Sequence, residues 1–118
     1  MNIEDFISDY RTFSNKPFYA YEQEHILRQN IQRNDTVEEL VIIMEELAEL
    51  SQQVSKKIRG EVDRMHLLEE IADVYICLEE LKMLNGFTEK EIEIAKSVKL
   101  NRIRNKLDNG GNYNGTVF

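Results

Sequence analysis

Two acidic clusters carry the chemistry that this sequence offers. The first is Glu45-Glu46-Leu47-Ala48-Glu49 and the second is Glu69-Glu70-Ile71-Ala72-Asp73. Within each, two carboxylates stand three residues apart: Glu46 with Glu49, and Glu70 with Asp73. On a helix, residues at that spacing share a face. Both pairs are set in apolar sequence, so they border a core rather than decorate open surface. Positions four residues after Glu45, Glu46 and Glu49 are Glu49, Leu50 and Gln53, so the basic partners of an ordinary solvated helix face are missing. Carboxylates that converge repel one another, by about 4 kcal/mol for two unit charges 4 Å apart at an effective dielectric near 20. A divalent cation removes that cost, and an all-oxygen donor set suits Mg²⁺, Mn²⁺ or Ca²⁺.

The elements that must position these acids are helices. From Thr36 to about Arg59 the apolar residues Val37, Leu40, Val41, Met44, Leu47, Ala48, Val54 and Ile58 recur at helical spacing. Thr36 with Glu39 fits a capping box, and Gly60 fits the residue just past a helix end. Asp63 can cap the next helix, whose stripe of Leu67, Leu68, Ile71, Val74, Tyr75, Leu78, Leu81 and Leu84 ends at Gly86. The short connection makes these two helices an antiparallel hairpin. Counting from the middle of the turn places Glu49 opposite Val74, beside Asp73. The two acid pairs are then offset by roughly 5 Å, one helical turn, so all four carboxylates can converge.

Thr88 and Glu91 form a second capping box, opening a helix to about Leu107. Its early acids and late bases match the helix dipole. Upstream, Ile3, Phe6, Ile7, Tyr10 and Phe13 space as a helix from Asn2 to about Ser14, broken before Pro17. A shorter helix is expected from about Phe18 to Gln32. The whole reads as an all-α bundle of four to five helices. It forms one domain over residues 1–107, followed by a flexible Gly/Asn-rich tail over 108–118.

Composition narrows the function. The chain has 118 residues and a formal net charge of −7, which argues against binding polymeric nucleic acid. Its single cysteine, Cys77, excludes an intrachain disulfide and fits a reducing compartment. No basic segment followed by an apolar run opens the sequence, and no apolar stretch reaches the roughly 20 residues that span a bilayer. A cytoplasmic protein without membrane attachment is expected.

The pattern E-E-x-x-E, then about twenty residues, then E-x-x-D resembles the MazG-like all-α nucleoside triphosphate pyrophosphatases, the group that includes the dimeric dUTPases. Here it reads Glu45, Glu46 and Glu49, then Glu70 and Asp73, within EELAEL and LLEEIADVYICLEEL. The resemblance spans roughly Thr36 to Leu107. It implies that Glu46, Glu49, Glu70 and Asp73 hold Mg²⁺, with Mn²⁺ as a possible substitute. Glu45 would assist a second ion or a catalytic water, and Glu45 or Glu49 would accept the proton. The implied reaction cleaves a nucleoside triphosphate between its α and β phosphates, releasing a monophosphate and pyrophosphate, as in nucleotide-pool house-cleaning. It also implies a homodimer or homotetramer. Members of that group often carry a basic patch in the last helix, for which Lys99, Asn101, Arg102 and Arg104 are the candidates here, with Lys56 and Lys57 as further ones.

Other constellations are weaker. Glu22-x-x-His25 has the spacing of di-iron carboxylate bundles, and its only counterpart is Asp63-x-x-His66. Cys77 has no positioned base in sequence and reads as a small core residue. One of the N-terminal aromatics Phe6, Tyr10, Phe13, Phe18, Tyr19 and Tyr21 could stack on a base, although core or subunit contacts explain them as well. The main alternative function is a non-catalytic helical protein that binds a metal or a partner through the same acids.

Overall fold

The computed structural model describes residues 2–110, and these contain five α-helices and no strand. They are α1 (Ile3–Phe13), α2 (Ala20–Ile31), α3 (Thr36–Ile58), α4 (Arg64–Leu84) and α5 (Glu89–Asn109). The all-α class expected from the apolar spacing is therefore observed. The chain divides into two units, Met1–Asn85 and Gly86–Phe118. Among the described residues no helix is long and apolar enough to cross a membrane.

In the first unit, α4 is the central element. It packs most extensively against α3 and also meets α2 and α1. The α3–α4 connection is set by its end residues. Gly60 takes φ 73°, a left-handed conformation that glycine adopts at no steric cost. Around it, the N–H of Glu61 donates to the carbonyl of Lys56 at 2.8 Å and the N–H of Gly60 to that of Lys57 at 3.1 Å. This is a Schellman end, which satisfies carbonyls the helix leaves free. Asp63 then caps α4, its side chain accepting from the Met65 N–H at 3.0 Å.

One helix start differs from the sequence reading. Thr36 is the first helical residue of α3, and the cap is Asp35, which accepts from the Glu38 N–H at 2.9 Å. Asp and Thr both cap well, and the shift by one residue takes Glu39 out of the capping box. Its carboxylate turns inward, 2% exposed, and accepts from Asn34 Nδ2 at 2.8 Å. Glu80 of α4 is likewise buried, and accepts from Asn30 Nδ2 of α2 at 2.7 Å. Among the described residues, the buried apolar ones are Ile43, Val74 and Cys77.

The second unit is α5 and its flanks. Thr88 and Glu91 form the expected capping box, with the Glu91 N–H donating to Thr88 Oγ1 at 3.1 Å and the Thr88 N–H to Glu91 Oε1 at 3.0 Å. The helix continues to Asn109, two residues past the expected end at Leu107, so Asp108 and Asn109 are helical. Gly110 is the C-cap of α5, and the remaining residues of the expected tail, 111–118, lie outside the described residues.

Candidate metal centre

The acid pairs meet across the α3–α4 seam. One oxygen each from Glu46, Glu49 and Glu70 lies within 4.8 Å of the others, and the same holds for Glu69, Glu70 and Asp73. Glu70 belongs to both groups and joins them. The facing pairs are Glu46 with Asp73 and Glu70 with Glu49, each close enough to share a proton. Glu49 therefore faces Glu70, one helical turn nearer the start of α4 than midpoint counting placed it. The reason is the non-helical stretch 61–63. Extended residues advance about 3.3 Å each against 1.5 Å in a helix, so this stretch carries the chain back along α3 before α4 begins.

The electrostatics record the crowding. Burial first, and then the charges of Asp73, Glu49 and Glu70, push Glu46 up to about 7. Burial, followed by Glu49, Asp73 and Glu69, pushes Glu70 up to about 7 as well. Asp73 is raised by burial, while a proton shared from Glu46 acts in the opposite direction. Two further observations bear on what the seam can hold. Glu46 Oε2 and Glu70 Oε2 are buried and have no hydrogen-bond partner. An ionised carboxylate can accept but not donate, so these oxygens call for donors or positive charge. A hard cation with oxygen ligands fits this donor set, and the residues that would hold it are Glu46, Glu49, Glu70 and Asp73.

The other sequence-derived candidates fall as follows. Glu45 is exposed and belongs to neither group, although it adjoins Glu46. Glu49 is exposed at one edge of the first group, with an oxygen inside it. Lys56 is half-buried on α3, two turns beyond Glu49. Lys99, Asn101, Arg102 and Arg104 are exposed on α5, in the second unit. There Arg104 donates to Asn101 Oδ1 at 2.9 Å.

The rival constellations dissolve. Glu22 is engaged at the start of α2, accepting from the Tyr19 N–H at 2.9 Å, and no group of potential ligands among the described residues includes a histidine. Cys77 is 4% exposed, and burial, then the charge of Glu80, pushes its thiol up to about 11, the opposite of an activated nucleophile. Tyr19 and Tyr21 stack with ring centres 5.9 Å apart, and Phe13 and Phe18 lie 5.7 Å apart.

Sequence reasoning missed Glu69 as a group member, although its place beside Glu70 was visible. It also missed the inward turn of Glu39 and Glu80, for which the sequence carries no signal beyond their place in apolar stripes. No protein-family model, curated protein or solved structure matches the chain.

Proposed function

We propose that the α3–α4 seam binds Mg²⁺, with Mn²⁺ as a substitute, and that the chain hydrolyses nucleoside triphosphates to monophosphate and pyrophosphate. The observation that carries this reading is the convergence of Glu46, Glu49 and Glu70 within 4.8 Å, with two of their oxygens buried and unpartnered. Two ionised carboxylates at that distance repel by about 3–4 kcal/mol at an effective dielectric near 20. Among the described residues none of these three carboxylates has a basic side chain paired with it, so the cluster stands to gain from a cation.

When bound, such an ion would neutralise phosphate oxygens and lower the pKa of a water ligand. The chain's own residues supply the rest. Glu46, Glu70 and Asp73 would hold the ion from α3 and α4. Glu49 stands at the open edge, where its carboxylate can accept the proton of an attacking water. Glu45, pointing to solvent beside it, is the alternative acceptor. The water oxygen bonds to the α phosphorus, the bond to the α–β bridging oxygen breaks, and pyrophosphate leaves. Lys56, two turns beyond Glu49 on α3, is the candidate within this unit to meet the triphosphate.

Assembly belongs to the same proposal. Val37, Met44, Ile58 and Tyr75 are each more than two-thirds exposed on α3 and α4, which supports a homodimer or homotetramer in which such faces are covered. The same apolar surface also favours a second reading, a non-catalytic helical protein that binds a partner. A panel of nucleoside triphosphates with Mg²⁺, assayed for pyrophosphate against orthophosphate, separates the two. Pyrophosphate release supports the enzyme. No turnover of any member, with Mg²⁺ bound, supports the interaction protein.

A further inference from the structure

Among the described residues, three buried side-chain oxygens have no hydrogen-bond partner: Glu46 Oε2, Glu70 Oε2 and Gln53 Oε1. The first two belong to the acid cluster, and the third does not. Gln53 is neutral, so charge crowding does not explain it. It stands one turn beyond Glu49 on α3, completing the row Glu46, Glu49, Gln53 on one helix face. Folding alone gives no reason for a carbonyl at this place. A buried acceptor without a donor opposes folding, whereas an apolar side chain of the same length would fill the space without that penalty. Each unpartnered group of this kind asks for a water, an ion or a chemical role.

What would satisfy all three oxygens is the same thing: a body rich in donors or positive charge, lying along the seam. Mg²⁺ commonly binds through one or two carboxylates and keeps several of its waters. Gln53 follows Glu49 by four residues, about 5 Å along the same helix face, but it is a neutral amide outside both groups of converging carboxylates, which suits contact through such a water. Resting on the cation reading above, we infer that Gln53 is a positioning residue of the metal centre. Its Oε1 accepts a hydrogen bond from water held by the cation, and so fixes the orientation of that water at the hairpin end of the seam.

The test uses the full chain and Mg²⁺ alone, with no nucleotide. Titration calorimetry gives the Mg²⁺ affinity, and thermal melting gives the stability of the metal-free protein, for wild type, Gln53→Leu and Gln53→Glu. The leucine variant should melt no lower than wild type without metal and bind Mg²⁺ about 10-fold or more weakly, the usual effect of losing a partner outside the direct ligands. Gln53→Glu keeps an oxygen in place and should bind at least as tightly as wild type. Wild-type affinity in Gln53→Leu overturns the inference while leaving the metal centre intact. An equal loss in both variants also overturns it, because that pattern marks packing. Should Gln53→Leu fail to fold, weaker binding by Gln53→Glu than by wild type overturns it. Absence of Mg²⁺ binding by wild type removes the cation reading itself and this inference with it.

Discussion

Asn30 of α2 donates a 2.7 Å hydrogen bond to Glu80 of α4, across fifty residues of sequence, and Glu80 is 4% exposed. This bond fastens α2 to the central helix through a carboxylate. Replacing Asn30 with alanine leaves that buried acceptor without its donor, which should cost about 1–3 kcal/mol. Glu80→Gln keeps an acceptor for Asn30 and should cost less. Urea denaturation of the two variants measures the difference, and a Glu80→Gln loss larger than that of Asn30→Ala would refute the account.

Mg²⁺ or Mn²⁺ should raise the melting temperature. An ion that binds only the folded state stabilises it by about 2.7 kcal/mol at a hundred times its dissociation constant. A melting curve unmoved by millimolar Mg²⁺ would mean that the acids face solvent independently.

Glu49→Gln and Asp73→Asn, made singly, should act with opposite signs on two readouts. Each removes one negative charge from a crowded group with little change of volume. The metal-free protein should therefore melt higher, while Mg²⁺ affinity and pyrophosphate release collapse. Glu38→Gln, in the first turn of α3 outside the seam, should leave release unchanged. Full activity in Glu49→Gln would remove it from the site.

The stability of the metal-free protein should fall as pH rises from about 5 to 8. Glu46 and Glu70 are held up to about 7 in the folded state, against an ordinary value of 4.5. Between those values the folded chain binds more protons than the unfolded one, so raising the pH favours unfolding. Saturating Mg²⁺ should flatten the slope, since the carboxylates are then ionised and neutralised together. Melting temperatures across that range, with and without the ion, check it. A metal-free protein that gains stability towards pH 8 contradicts the crowding.

Light scattering should report a particle of at least twice the 13.9 kDa chain mass. A stable monomer at micromolar concentration would leave the exposed apolar residues of α3 and α4 without their proposed cover.

Much of the helical framework was legible because its punctuation is local. Gly60, Asp63, Gly86 and the Thr88–Glu91 box act through neighbours within a few residues, and each sits where the sequence placed it. The convergence of Glu46, Glu49 and Glu70 was legible for the same reason, since i,i+3 spacing and a short hairpin suffice. The register across the seam was not. Midpoint counting treats the connection as a point, whereas residues 61–63 have length and direction. The cap of α3 also escaped, because Asp35 and Thr36 both carry a side-chain oxygen able to cap; Asp35 takes the role, and Glu39 accepts from Asn34 instead of closing a capping box. Glu80 lay beyond local rules altogether, because its donor arrives from a different helix.

The burial of Cys77 gives the molecule an internal reporter. It is the chain's only thiol, is 4% exposed, and has its ionisation pushed up to about 11. Alkylating reagents attack the thiolate of an accessible cysteine, so the closed α3–α4 hairpin should be nearly inert to them. Modification then proceeds through molecules whose hairpin has opened, and its rate follows the open population when reclosing is fast. Mass spectrometry of a single alkylation thus measures how often the seam parts, one site per chain and with no added label. The same sulfur that fills a gap in a small core keeps a count of its opening.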